Sequence, residues 1–371
     1  MKYLSSVLLL FIAICCASAS QQYQSKWGLK NSTTVDGITP PVYRLQLDLP
    51  YKERWSESIL AKKQDIIQLI DQSIAAYNYT IGHPYYFEQY IPDFVFEAYD
   101  KEFALECRAL AELLDVSFTK VVLLQFMYET FAYCTSTVVR DKNGTLYMGR
   151  NLDYDFGDVI KRTSVTLEVY KGDELVYIAN HILGFLGHHT AFKPGKFSLS
   201  LNQRTTVTRR TQQDIIKGLL TNAFYLFWAH HTQVSYGIRY IFEKAQNYTQ
   251  AVEIISNTKL IAPAYLTICG VEQNEGAVFA MDRDGVNAVR YLNESDWFLV
   301  QTNYDWIDPD PNHDNRRTAM EDRLREMKQE NLTPEKLYEL FTMTPNFNLI
   351  TIQTMIFSPE LSFMNSTVWL N

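Results

Sequence analysis

Cys134-Thr135-Ser136-Thr137-Val138-Val139 and, after a short turn, Gly149-Arg150-Asn151-Leu152-Asp153-Tyr154 are the stretch on which the reading of this chain depends. Upstream of it the pattern is helical. Ile59, Ile66, Ile67, Ile70 and Ile74 recur at helix spacing between Ser58 and Tyr77, and Glu97–Leu114 and Phe118–Tyr133 also read as helices. From Cys134 onward the texture is that of strands. Thr135–Arg140 and Thr145–Arg150 read as a hairpin around Asp141-Lys142-Asn143-Gly144, and Val165–Tyr170 with Leu175–Ile178 as another around Lys171-Gly172-Asp173. Further strands are expected at Phe197–Leu201, Tyr265–Gly270, Gly276–Met281, Ala288–Leu292 and Phe298–Thr302. Helices are expected at Gln212–Trp228, Thr249–Ser256, Thr318–Lys328 and Pro334–Phe341. The switch from helices to strands therefore falls at Cys134, with a helical segment before it and a mixed α/β body after it.

The same stretch carries chemistry. A thiol at Cys134, a guanidinium at Arg150 and a carboxylate at Asp153 supply a nucleophile, a fixed cation and an acid. If Cys134 becomes a new N-terminus, its own α-amine, with an ordinary pKa of about 7.7–8.0, can take the thiol proton, and no separate Cys/His pair is needed. The plainer reading of Cys134 alone is a small buried hydrophobe, and of Arg150 with Asp153 a surface ion pair.

The ends and the composition narrow the setting. The 371 residues are 47% hydrophobic, 14% aromatic and 20% charged, a globular composition able to bury a sizeable core. A net charge of −8 argues against nucleic acid as a partner. Lys2, the apolar run from Tyr3 to Cys16 and the small residues Ala17-Ser18-Ala19-Ser20 read as a secretory signal peptide over residues 1–20. Sequons at Asn31, Asn78, Asn143, Asn247, Asn293, Asn331 and Asn365 agree with a lumenal, glycosylated protein. Loss of the signal leaves Cys107, Cys134 and Cys269. Cys107 and Cys269 are then either a disulfide pair or two buried thiols, and Cys107 shares a helical face with Phe103, Leu110 and Leu114. His188-His189 and His230-His231 match no metal-site spacing, so no metal and no cofactor is expected. The apolar Val121–Met127 and the aromatic-rich Tyr85–Phe96 read as core or, alternatively, as a surface that meets a membrane transiently.

Five motifs stand in one order: Tyr133-Cys134-Thr135-Ser136; Gly149-Arg150-Asn151-Leu152-Asp153-Tyr154; Phe192-Lys193-Pro194-Gly195 with Phe197-Ser198-Leu199-Ser200-Leu201-Asn202; Gln301-Thr302-Asn303-Tyr304-Asp305; and Asn315-Arg316-Arg317-Thr318. Together they resemble the family of acid ceramidase and the N-acylethanolamine-hydrolysing acid amidase, from about Tyr43 to near the C-terminus. The resemblance implies an α+β fold, the N-terminal-nucleophile hydrolase αββα sandwich, preceded by a helical N-terminal segment. It also implies a proenzyme that cuts itself before the nucleophilic cysteine. Residues 21–133 then form a propeptide or α-subunit that stays attached, non-covalently or by a disulfide, to a catalytic piece of residues 134–371.

Carried over position by position, the resemblance makes Cys134 the nucleophile and Arg150 the cation beside it. Asp153 becomes the holder of the α-amine, Asn303 the oxyanion donor, and Arg316 a second arginine needed for self-cleavage and turnover. It implies a fatty-acyl amide lipid as substrate, ceramide before an N-acylethanolamine, and a lysosomal or secreted location. Where relatives commonly carry Asn-Glu-Arg, this chain has Asn202-Gln203-Arg204. That departure leaves room for a catalytically impaired lipid-binding glycoprotein.

Overall fold

The computed structural model describes residues 36–81, 100–127, 132–154, 156–204, 212–311 and 313–370. The signal segment, Asn31 and Tyr85–Phe96 lie outside the described residues.

Among these residues fourteen strands appear: β1 (Gly37–Ile38), β2 (Val42–Gln46), β3 (Ala132–Arg140), β4 (Leu146–Tyr154), β5 (Ser164–Lys171), β6 (Glu174–Ile182), β7 (Thr190–Lys193), β8 (Phe197–Gln203), β9 (Ala264–Cys269), β10 (Gly276–Asp282), β11 (Gly285–Tyr291), β12 (Phe298–Gln301), β13 (Thr351–Ser358) and β14 (Phe363–Trp369). They form a six-stranded sheet in the order β1-β14-β13-β4-β3-β12 and an eight-stranded sheet in the order β11-β10-β9-β8-β7-β6-β5-β2. All neighbours are antiparallel except β2 and β5.

The sheets pack face to face, β3 lying on β8 and β9. The helices Arg316–Met327 and Pro334–Phe341 cover the outer face of the first sheet, against β12 and against β4 and β13. The helix Val234–Lys244 covers β6, β7 and β8 of the second sheet, and Tyr248–Asn257 lies on β11. This is the αββα sandwich. Its helices start where side chains satisfy the free N–H groups: Thr333 caps Pro334–Phe341, with Pro334 in the first turn, and Asn247 caps Tyr248–Asn257.

The N-terminal segment contributes the helices Tyr51–Ala61, Lys63–Ile81, Lys101–Leu114 and Phe118–Gln125. Asp100 caps the third by accepting from Phe103 N–H, and Asp115 closes it in the left-handed region at φ 60°. Two expectations need correction here. The segment is not purely helical, because β1 joins the first sheet beside β14 and β2 the second beside β5. Nor does a helix run to Tyr133. It ends at Gln125, and β3 begins at Ala132, where Ala132 and Tyr133 extend the ladder by pairing with Tyr154 and Asp153. Val121, Val122, Leu123, Leu124 and Met127 are core.

Cys107, Cys134 and Cys269 are all buried free thiols, so Cys107 and Cys269 do not form a disulfide. Cys107 packs on the helical face expected for it, in one cluster with Phe103, Leu110 and Leu114. Asn143, Asn247, Asn293, Asn331 and Asn365 are exposed. Among the described residues no helix is long and apolar enough to cross a membrane.

Candidate active site

In the β3–β4 hairpin Ser136 stands opposite Arg150 and Cys134 opposite Leu152. Side chains two apart on a strand share a face, so Cys134, Ser136 and Arg150 all point to the same side, with Arg150 diagonal to Cys134. Arg150 Nη2 lies 3.0 Å from Cys134 Sγ and also donates to the carbonyl of Leu201. Its Nη1 donates to Ser136 Oγ at 3.0 Å and to Asn202 Oδ1. Thiol and guanidinium are both withdrawn from solvent. A cation this close to a buried sulfur favours the thiolate, because little water competes for its field.

Asp153 has the other parity. It falls on the opposite face of β4 from Arg150, which is why the two do not form the surface ion pair that their spacing allows. Its partners are Arg316 Nη1 at 3.0 Å, Thr351 Oγ1 at 2.7 Å and Asn348 Nδ2 at 3.3 Å. Burial pushes the Asp153 carboxyl above its usual range even though Arg316 and the two hydrogen bonds pull it down.

Arg316 is gripped by Asp314, whose carboxylate accepts from Nε at 2.9 Å and from Nη2 at 2.7 Å. Burial alone would lower its pKa, but Asp314 and Asp153 raise it, so the guanidinium is a permanent cation. Arg316 Nη2 also donates to Asn303 Oδ1 at 2.9 Å, and that same oxygen accepts the Cys134 N–H at 2.9 Å.

The other four predicted residues, Arg150, Asp153, Asn303 and Arg316, thus converge on Cys134, but not in the arrangement expected for each. Asn303 presents its oxygen, not its amide N–H, to the Cys134 nitrogen. Its Nδ2 donates to the carbonyl of Gln203 at 2.8 Å. Asp153 reaches the Cys134 nitrogen through Arg316 and Asn303 in succession. Gln203 is the nearly buried last residue of β8. Beside it, Arg204 forks onto Asp305 at 2.9 and 3.0 Å and pairs with Asp282 at 2.8 Å.

Sequence reasoning gave no role to Asp314, Asn348, Thr351, Ser136, Ser200 or Asn202. Asp314 was findable as an acid two residues before a key arginine. Asn348 and Thr351 carry no local signal, since only the β4–β13 pairing brings them to Asp153.

His188 is engaged away from Cys134. His188 accepts or donates at 2.9 Å to Tyr177 Oη and at 3.1 Å to His181 Nδ1, and burial pushes His181 down to about 3. Among the described residues no three His, Cys, Asp or Glu side chains come together to hold a metal.

Comparison with known proteins places these features in context. Residues 134–326, beginning at Cys134, match the family described as linear amide C–N hydrolases, choloylglycine hydrolase family. The chain is 30% identical over 330 residues to the N-acylethanolamine-hydrolyzing acid amidase of Rattus norvegicus, covering 86% of each chain. It is 28% identical over 377 residues to the acid ceramidase of Homo sapiens, covering 95% of this chain and 93% of that one. Among solved structures, a Caenorhabditis elegans N-acylethanolamine-hydrolyzing acid amidase ortholog superposes with a TM-score of 0.57 at 29% identity, over 64% of this chain and all of that one.

Proposed function

We propose, from the premise that this chain belongs to the choloylglycine hydrolase family of linear amide C–N hydrolases, that it is a precursor which cuts itself between Tyr133 and Cys134 and then hydrolyses a fatty-acyl amide. The chain is an amidohydrolase, and its relatives act on fatty-acyl amides. The observation that carries the finer reading is the Arg150 guanidinium 3.0 Å from Cys134 Sγ, at a cysteine whose N–H is separately held by Asn303.

In the precursor the Cys134 thiolate attacks the carbonyl carbon of Tyr133. The C–N bond breaks, the nitrogen takes a proton and leaves as the α-amine of Cys134, and the acyl group passes to sulfur. Water hydrolyses this thioester, giving Tyr133 its carboxylate and returning the thiol. In the mature form the α-amine accepts the thiol proton, the thiolate attacks the substrate amide, and the amine delivers that proton to the departing nitrogen. A second water then releases the fatty acid.

In this reading Arg150 keeps the sulfur anionic and steadies the developing charge, and Asn303 offers the oxyanion the second N–H of the Nδ2 that already donates to the Gln203 carbonyl. Asp153 and Arg316 orient the freed amine through the oxygen of Asn303. The burial of Cys134 in the unbroken chain fits a dormant precursor.

The first substrate reading is N-acylsphingosine, released as sphingosine and fatty acid, resting on Phe192-Lys193-Pro194-Gly195, Ser198-Leu199-Ser200-Leu201-Asn202 and Ala262-Pro263-Ala264-Tyr265. The second is an N-acylethanolamine, favoured by the 30% identity to the rat amidase against 28% to the human ceramidase. The signal-like residues 1–20 and the exposed sequons support a lysosomal or secreted glycoprotein.

Acid incubation of the purified precursor should yield a fragment beginning Cys-Thr-Ser-Thr, and Cys134→Ala should stay uncut. Full activity from an unbroken chain would end this reading, because the α-amine base would not exist. Ceramide and N-palmitoylethanolamine, assayed side by side in acidic and neutral buffer, decide between the two substrates.

A further inference from the structure

Asn202, wholly buried at the end of β8, uses every hydrogen-bonding site it has. Its Oδ1 accepts from Ser136 Oγ at 2.6 Å and from Arg150 Nη1. Its Nδ2 donates to the carbonyls of Gln301 at 2.9 Å and Thr302 at 3.1 Å. The first pair of bonds reaches the guanidinium that touches the thiol. The second reaches the two carbonyls immediately before Asn303, which holds the Cys134 nitrogen.

We propose that Asn202 is a positioning residue that sets the separation between Arg150 and Asn303, and so fixes both sides of Cys134 from the opposite sheet. The next residue completes the brace, since the carbonyl of Gln203 accepts from Asn303 Nδ2 at 2.8 Å. Ser200 supports the same point, donating to Ser136 Oγ at 2.9 Å. An amide is the one group of this size that accepts from a cation on one edge and donates to two carbonyls on the other. A carboxylate would keep the first contact and set its charge against both carbonyls, and it would also draw the Arg150 charge away from sulfur.

The inference rests on Cys134 being the nucleophile of the proposed reaction. Its test uses the full chain carrying Asn202→Asp or Asn202→Ser, with Cys134→Ala alongside. The readouts are kcat and KM for fatty-acyl amide release and the pH dependence of iodoacetamide alkylation, mapped to the Cys134 peptide so that buried Cys107 and Cys269 do not contribute. Asn202→Asp should lower kcat roughly 10–100-fold with KM within about threefold, as misplacement of a group that supports the reacting atoms does. The midpoint of Cys134 alkylation should move up by about one pH unit, because Arg150 then answers to a carboxylate. Asn202→Ser, which keeps one donor and one acceptor, should fall between Asn202→Asp and the native chain in kcat without moving the midpoint as far.

An unchanged alkylation profile and kcat in Asn202→Asp overturns the proposal while leaving the nucleophile in place. Recovery of neither variant as folded protein also overturns it, since the residue would then serve the fold and not the site. Activity persisting in Cys134→Ala is a separate outcome. It removes the reaction on which the inference stands.

Discussion

Glu106 and Asp153 are both fully buried carboxylates lying against arginine, and they behave in opposite ways. Glu106 joins the N-terminal segment to the body. Arg54 of its own segment bonds one oxygen, and Arg239 of the Val234–Lys244 helix bonds both. Burial pushes its pKa up, but the two arginines more than offset this and hold it below the usual range. Asp153 has one arginine, already shared with Asp314, and burial wins, so its pKa is raised. Two guanidiniums meeting on one carboxylate make a joint, even though Arg239 also holds Glu243 and Arg54 also faces Glu102, whereas a single guanidinium divided between two carboxylates leaves a group that can change its proton. The first arrangement suits holding pieces together, and the second suits a site.

That contrast can be broken most forcefully at Glu106. Glu106→Gln removes the buried carboxylate shared by two guanidiniums, leaving Arg239 with Glu243 and Arg54 with Glu102, and should cost about 3 kcal/mol of stability. Denaturant unfolding would register it, and after scission the N-terminal piece should be lost on gel filtration. An unchanged midpoint would mean the joint is carried by apolar packing alone.

Asn303→Ala comes next. It should fold and yet lose about 3 kcal/mol of transition-state stabilisation, a fall of roughly 10²–10³ in kcat of mature enzyme. A fall of less than about threefold would make Asn303 a turn residue.

A third change concerns shape rather than charge. A Cβ at Gly149 would run into the ring of Phe341 and into Thr137 Oγ1, so Gly149→Ala should destabilise by about 1–3 kcal/mol in a thermal melt.

The pH test separates the two carboxylates by sign. Glu106, with its depressed pKa, contributes stability that is present above the unfolded value of about 4.3 and is lost only as pH falls through its lower folded value. Asp153 works the other way. Between the unfolded value of about 3.9 and its raised folded value the native state binds more protons, so its contribution to stability falls as pH rises through that window. Melting temperature followed against pH should lose that downward component in Asp153→Asn. A parallel curve would show that Asp153 does not titrate there.

The smallest effect is expected at Gln203. Gln203→Glu should change the shape of the pH profile of self-cleavage, since it restores a carboxyl beside the Arg204–Asp305 pair. Superimposable profiles would mean that position 203 only packs.

Local pattern made much of this visible and stopped where partners are distant. The hairpin at Cys134, the strands Phe197–Gln203 and Gly276–Asp282, and the helix Pro334–Phe341 follow from alternation, turns and caps. The strands Thr351–Ser358 and Phe363–Trp369 were missed. Thr351, Gln353 and Thr354 are polar yet fully buried, so the alternation that marks a half-exposed strand is absent from the first of them. The helix Val234–Lys244 was missed too, although its Arg239 completes the Glu106 joint. At the site the motifs placed all five residues near one another. Face and partner remained hidden. That Arg150 looks toward β8 and Asp153 toward the helix layer is a consequence of strand parity, and parity can be read only once β4 is known to run past Arg150 to Tyr154.

The bond proposed for scission lies inside β3, not in a loop, and this would give the cut a direction. Once it is made, the N-terminal piece ends in a two-residue stub, Ala132-Tyr133, opposite Tyr154 and Asp153. So short a ladder would have little to set against the roughly 1–2 kcal/mol of backbone entropy that each fixed residue gives up, and the stub would fray. The remainder of the piece does not follow it, being woven into both sheets through β1 and β2 and bolted by Glu106. The proposed self-cleavage would then work as a ratchet in this chain: a doorway would open beside the sulfur while the frame stays shut, and the freed strand end would have no cheap way back.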